Sequence, residues 1–548
     1  MKRKLRIILV IGVIAFVSLF AFLSQKEEVK ATYSTIDVNT ETITLDSQVD
    51  DFTYYDLTVQ KDIQDQIDAY KKSDTYTLKN PLVILNPYGT NTTSLYIYFE
   101  EEAKGSLSYK VKVDGYEDYE NTLYQDSAST THEYQIIGLI PDVNNEVVLT
   151  YKNEAGKTIK KVAFNVTPPT FKSGFASSIE KTSYSTSALS DGLYYLFGLN
   201  YTYSGYSYLV DNDGVVRSEI VLEDDMSENV MFDGEDMIFS INYSRMARVN
   251  RLGKVTQIYD FDNYEIHHDY VLNEEGKALI LATNNDKESV EDIILLLDLE
   301  SGGYQELVDF DDILGEYKSL TSNFSEDSTW GSWGDTSWDW LHFNSITLVG
   351  DDEMILSSRE TSTIMKLSNI YDNITIDYFI GDESIWEDTA YASYSLNKVG
   401  DFNDQAGQHS VTYMESDDLE EGQYYLYMYN NNYDCYESRI GYTQNMEGAS
   451  KSFSDDNSSS YYYCYLVDEN KGTYTLVDEI DVPYSSIVSS VQNIDNNILI
   501  NSGMQTTFYE YDENHKKIAS FYYNDEEQSL LLGYRVFKYD FVGYWFQD

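Results

Sequence analysis

Met237-Ile-Phe-Ser-Ile-Asn-Tyr-Ser-Arg-Met246-Ala-Arg-Val-Asn-Arg-Leu-Gly253 reads as a strand, a short polar break, a second strand and a tight turn. Alternating apolar and polar residues fit pleated strands, and Arg251-Leu252-Gly253 supplies the turn chemistry. The same unit returns at Ala278–Ala282 with Asp292–Asp298 and the turn Glu300-Ser301-Gly302, and at Glu353–Ser357 with Thr363–Leu367. It returns again at Asn497–Ser502 with Phe508–Tyr511 and the turn Asp512-Glu513-Asn514. An early copy ends at Asp211-Asn212-Asp213-Gly214, where a hairpin turn accounts for the residues better than a Ca²⁺ loop, because the ligand pattern stops there. A recurrence of roughly forty to seventy residues is that of propeller blades with loop insertions. Six such units can be placed in residues 170–548, so the expected fold is all-β, with a six-bladed β-propeller as its main body.

Residues 35–168 form a separate unit ahead of the Pro168-Pro169 linker. Strand candidates are Ser94–Phe99, Ser106–Val113, His132–Ile137, Glu146–Tyr151 and Lys160–Val166, with a helix at Lys61–Lys72 carrying Ile63, Ile67 and Tyr70 on one side. Several short strands at this spacing predict a small immunoglobulin-like β-sandwich.

Residues 1–31 begin Met1-Lys-Arg-Lys and continue into an apolar run from Ile7 to Leu23, with a signal-peptidase motif at Val29-Lys30-Ala31. This predicts a signal peptide or an N-terminal membrane anchor, and an exported or cell-surface protein. The charge of 37 basic against 93 acidic residues, −56 in all, repels phosphate backbones and argues against a nucleic-acid partner. The same charge keeps an exported chain soluble, and an anionic ligand then needs a local cationic pocket. Cys435 and Cys464, the two cysteines, flank a polar loop and read either as one disulfide across neighbouring strands or as two separate thiols. Two cysteines cannot build a four-Cys zinc site.

Histidine is scarce, with six in the chain. His132 and His515 sit in ordinary strand and turn contexts. His267 and His268, in Ile266-His-His-Asp-Tyr270, His342, in Trp340-Leu-His-Phe-Asn-Ser-Ile346, and His409, in Gly407-Gln-His-Ser-Val411, fall at one recurring point, the start of a blade's inner strand. Equivalent blade positions converge on the central channel, so these residues make a candidate site. A lone strand histidine is usually a hydrogen-bonded structural residue; three segments at equivalent positions are not explained that way. Metal ligation by His267 or His268, His342, His409 and Asp269 is a second reading of the same residues. Arg359 closes the strand after Asp351-Asp352 and can fork onto an oxyanion; Asn344 can donate to the same oxygens. Trp330, Trp333, Trp338 and Trp340, interleaved with Gly, Ser and Asp, read as an aromatic loop, either beside a flat ligand or buried against itself.

On these motifs the sequence resembles the bacterial aryl-sulfate sulfotransferase family. The resemblance runs through His-His-Asp at 267–269, His-x-Asn-Ser-Ile at 342–346, Ser-Ser-Arg at 357–359, Gln-His at 408–409, Ser-Ser-Val at 489–491 and Asn496-Asn-Ile-Leu-Ile-Asn-Ser-Gly503. It includes Asn86-Pro-Tyr-Gly89 and Gly138-Leu-Ile-Pro-Asp142 in the leading unit. It implies transfer from a phenolic sulfate ester to another phenol, without a nucleotide sulfate donor, a cofactor or a metal. It makes His409 the nucleophile that becomes sulfated. His342, Asn344, Arg359 and one of His267/His268 would hold the sulfuryl oxygens and handle protons. A hydroxyl at Ser489 or Ser490 would meet the substrate; Trp340, read from the aromatic loop and not from the resemblance, is a further candidate for contact with a flat aromatic substrate. The family's cysteine pair is closely spaced near the nucleophile; Cys435 and Cys464 depart from that pattern. The expected partners are a small phenolic donor and acceptor, with membrane contact only through the N-terminal segment and a homodimer as an open option. An extracellular binding platform, or a metal-dependent hydrolase using the same histidines, are the competing functions.

Overall fold

The computed structural model describes residues 33–45, 51–200, 203–224, 226–326, 328–332, 334–434, 436–439, 442, 446–455, 457–524 and 531–547. The N-terminal apolar run lies outside them. Among the described residues no helix is long and apolar enough to cross a membrane.

The leading unit is built on one long strand, Leu95–Lys112, where the sequence reading placed two. Glu100-Glu-Glu-Ala-Lys104 looks like a break because it is polar, yet it only shifts register, and the ladder continues. The first half of this strand pairs with Leu82–Leu85 and Ser129–Ile136, the second half with Tyr119–Thr122 and Asn145–Asn153. A single strand thus serves both layers of the sandwich. The helix runs Leu57–Ser73, and Asp56 caps it by accepting from the Thr58 and Val59 amides at 2.6 and 3.3 Å. Ile63 and Ile67 on its inner face are fully buried.

The rest of the described chain forms six sheets around a central axis. Their innermost strands are Gly533–Tyr539 (blade one), Met231–Asp233 (two), Tyr264–Leu272 (three), Phe343–Val349 (four), His409–Met414 (five) and Ser490–Ile494 (six). Middle strands such as Leu193–Leu199 and Ile293–Asp298 are apolar runs because each blade packs against a neighbour on both faces. The ring closes twice. The C-terminal strand Gly533–Tyr539 pairs antiparallel with Leu193–Leu199, and Glu180–Ser183 adds to the outer edge of blade six at Lys517–Tyr522. Closure ties the first and last blades into the ring, and each blade keeps only a short outer edge.

The sandwich and the propeller share a core. Trp545 donates its indole N–H to Gln135 at 3.0 Å, and Arg217 bridges Asp211 and the Gly138 carbonyl at 2.6 and 3.2 Å. The turn at Asp211–Gly214 is a hairpin whose Asp211 carboxylate accepts from the Asp213 and Val215 amides.

Candidate active site

Three inner strands carry the same irregularity at the same level. Register breaks between Ile266 and Tyr270, between Phe343 and Ser345, and between His409 and Thr412. His268, His342 and Ser410 there have φ of 57°, 50° and 57°, the left-handed region that non-glycine residues rarely occupy. These bulges turn the histidines inward instead of letting them alternate with the pleat, and strain of this kind concentrates at functional sites.

His409 is buried, and its surroundings fix it. The Asn431 amide donates to the Ser485 and Val488 carbonyls at 2.7 and 3.0 Å, so its oxygen faces His409 Nδ1 at 2.8 Å. His409 Nδ1 therefore carries the proton and donates it, which leaves the Nε2 lone pair free. The segment before it is clamped to blade four. Gln408 donates to Ser357 Oγ and the Ser358 carbonyl at 3.0 and 3.1 Å, and Asn344 donates to the Gln408 carbonyl at 2.8 Å. Burial, then the nearby Arg359 charge, push the His409 pKa down to about 3. It is a neutral imidazole at every physiological pH.

His342 has the opposite setting. Its Nδ1 meets the Asp339 carboxylate and, at 2.8 Å, Glu291. Burial and Arg359 push its pKa down, but the two carboxylates outweigh them and hold it up at about 9. The His268 ring lies 4.8 Å from the His342 ring, and His268 Nδ1 is 2.8 Å from His267 Nδ1 and 3.8 Å from Glu291. Burial lowers the pKa of both His267 and His268. One imidazolium and one neutral imidazole thus lie close enough for the charge of His342 to act on His409, two titratable groups whose surroundings drive their pKa values apart.

Arg359 lies across the hairpin from His342, its backbone N–H donating to the His342 carbonyl at 3.0 Å. Its guanidinium lies 4.5 Å from the ring centre of Trp330. The loop after Asn430 holds this stack: Glu437 accepts from the Thr329 and Trp330 amides, while the Glu437 and Ser438 amides cap Glu360. That loop is what lengthens the Tyr-rich stretch between residues 424 and 465. Arg359→Lys is expected to cut turnover by about 10²- to 10³-fold with little change in melting temperature, because lysine keeps the charge but loses the fork and the stack. A variant that unfolds before it loses activity would assign Arg359 to structure instead.

Of the other candidates, Ser489 stays beside the site, its amide donating to the Tyr534 carbonyl at 3.0 Å. Trp340 is fully buried, with its N–H on Asp292 at 2.8 Å, and packs the core; Trp330 is the tryptophan at Arg359, and Trp333 lies outside the described residues. The Ser489 hydroxyl donates to Ser485 Oγ and accepts from the Gly503 amide at 2.9 and 3.0 Å. Ser490 fastens blade six to blade one through Val536. Cys464 is a buried free thiol, raised to about 12 by burial and Asp478, and Cys435 lies outside the described residues. His132 stacks on Phe99 in the sandwich, and His515 pairs with Asp478 at the surface.

The four-residue metal set, the alternative reading of these histidines, is not brought together. The Asp269 carboxylate takes Arg535, Asn229 and the Ile346 amide, and His409 Nδ1 is held by Asn431. Among the described residues, the donor atoms close enough to share a cation are those of His267, His268 and Glu291, and of Glu291, Asp339 and His342. In the second group both carboxylates converge on His342 Nδ1, an ion-paired imidazolium geometry.

Glu291, Asp339 and Asn431 complete the site, and Tyr534 packs beside it; no motif in the sequence points to any of the four. Asp339 lies three residues before His342, and Asn431 is the middle of an Asn triplet after a Tyr-rich strand, which are weak signals. Glu291 is one acid among 93 acidic residues and carries none.

A family model described as arylsulfotransferase matches residues 178–544, and one described as the arylsulfotransferase Ig-like domain matches residues 82–168. No curated protein matches the chain. Among solved structures, the WD40 domain of Toxoplasma gondii coronin is 8% identical over 63% of this chain and 76% of that one, with a TM-score of 0.31. Apo AztD from Citrobacter koseri is 10% identical over 79% of this chain and 97% of that one, with a TM-score of 0.27. At such scores neither likeness carries an argument.

Proposed function

The chain belongs to the arylsulfotransferase family, and from that we propose that it moves a sulfuryl group from a phenolic sulfate ester to a second phenol through a sulfated His409. The observation that carries the reading is the pairing of a neutral, Asn431-oriented His409 with the imidazolium of His342. In the first step His409 Nε2 attacks sulfur, and the bond from sulfur to the aryl oxygen breaks. The electron pair leaves on that oxygen, which takes a proton from His342. In the second step the acceptor phenol attacks the same sulfur and gives its proton to the now neutral His342. The N–S bond breaks, and its electron pair returns to Nε2.

Charge in such a loose transition state spreads over the three sulfuryl oxygens. Arg359 is the fixed cation suited to them. His267 and His268, held neutral, suit hydrogen bonding at the rim of the same chamber. No step calls for a nucleotide donor. The basic N-terminus and its apolar run support action outside the cytoplasm.

A double displacement predicts parallel double-reciprocal lines when donor is varied at several fixed acceptor concentrations. Intersecting lines would require both substrates on the protein together and would contradict the covalent route.

A further inference from the structure

In four inner strands the residue after a site residue faces another compartment. Asp269 follows His268, Ser345 follows Asn344, Ser410 follows His409 and Arg535 follows Tyr534. All four second members line a cavity of about 350 Å³ along the propeller axis, and none of the first members does. Its farther lining, Thr347, Thr412 and Gln492, is half-buried, so the cavity reaches solvent on the side away from the histidines. It is polar and roomy enough to hold water.

Between chamber and cavity the blades are laced together. Asn229 and Arg535 donate to the Asp269 carboxylate, both at 2.8 Å, and the Ile346 amide donates to it at 3.2 Å. The Val411 amide donates to Ser345 Oγ at 3.0 Å, Ser410 Oγ bonds the Val491 backbone, and Ser490 Oγ bonds the Val536 backbone. Tyr534 fills the middle of this ring. Its ring lies 5.6 Å from that of His268 and 6.4 Å from that of His409, and its hydroxyl donates across the axis to the Asn344 carbonyl at 3.3 Å. Burial keeps that hydroxyl protonated, so it serves as a donor.

We propose that Tyr534, set in this ring, is the seal that keeps channel water from the sulfuryl group on His409 and so makes the protein a transferase instead of a sulfatase. The inference rests on the covalent reading above. The reaction it suppresses is hydrolysis: a water oxygen attacks sulfur and gives one of its protons to solvent, the N–S bond breaks with its electron pair returning to Nε2, and hydrogen sulfate leaves with the other proton. Removing the tyrosine ring joins the two compartments, while His409, Asn431, His342 and Arg359 stay in place.

The test loads protein with a nitrophenyl sulfate and no acceptor, then follows adduct lifetime and inorganic sulfate. It also measures the ratio of sulfate to sulfated phenol at one acceptor concentration. Tyr534→Ala is expected to shorten the adduct lifetime and raise that ratio at least tenfold, with nitrophenol release in the first turnover falling less than tenfold. Tyr534→Phe, which keeps the ring and loses only the hydroxyl bridge, is expected to fold and shift the ratio less in the same direction. Should Tyr534→Ala fail to fold, Tyr534→Leu gives the same readout. An unchanged ratio and lifetime in a variant that still cleaves the donor would overturn the seal. A wild-type protein that forms no adduct would instead remove the covalent reading beneath it.

Discussion

His409→Ala is expected to abolish sulfuryl transfer, by at least about 10⁴-fold, since the group that carries the sulfuryl is gone and the remaining machinery can only bind and orient. The fold is expected to persist at some cost. Asn431 loses the partner its oxygen faces, and a buried acceptor left unpaired costs about 1–3 kcal/mol. Circular dichroism should therefore show a folded protein with a lowered melting temperature, and nitrophenol release from a nitrophenyl sulfate should fall to background. Asn431→Leu is a useful companion. It leaves the nucleophile in place but frees its tautomer, so it should lower the rate much less than His409→Ala does. Near-normal turnover by His409→Ala would end the mechanism.

His342→Gln is expected to cost about 10²- to 10⁴-fold with an unactivated phenyl sulfate, the usual worth of a positioned general acid. With a nitrophenyl sulfate, whose leaving group needs little help, the loss should be far smaller. Glutamine is the substitution to use, because its amide can still donate to Asp339 and Glu291. Alanine would leave the buried Asp339 and the half-buried Glu291 without their cation, and breaking the buried Asp339 pair this way costs about 3–5 kcal/mol. The pH profile separates the roles further. Wild-type activity should fall on the alkaline side as His342 loses its proton near the value of about 9, and His342→Gln should lack that limb. On the acid side the nucleophile should hold until His409 takes a proton near about 3. Stability follows the same sign. The His342 pKa is raised above its unfolded value of about 6.5, so its contribution is full below that pH and fades as pH rises through about 9.

The repeat was legible because blades are built by one rule. Gly and Asn turns between short alternating runs mark the six units, and the histidines at one point of that repeat gather, His268 against His342 and both His268 and His409 against Tyr534. Arg359 could be placed beside His342 because a hairpin puts them opposite each other. The acidic middle of strand Leu95–Lys112 imitates a loop, so its local sequence predicts two strands; pairing on both sides overrides that local polarity. The supporting residues are a different case. Glu291, Asp339 and Asn431 reach the site from loops whose paths depend on which blade they cross, and nothing in their local sequence encodes that path. Trp340 shows the converse: a run of Trp, Gly, Ser and Asp looks like a surface loop, yet one indole enters the core and another covers the arginine.

The most direct test of the covalent account is the intact-protein mass after brief mixing with a nitrophenyl sulfate and no acceptor. Transfer through His409 requires a gain of one sulfuryl group on one residue, mapped to His409, absent in His409→Ala and lost when a phenol is added. Nitrophenol release by a protein of unchanged mass, equally fast with and without a phenol acceptor, would contradict it.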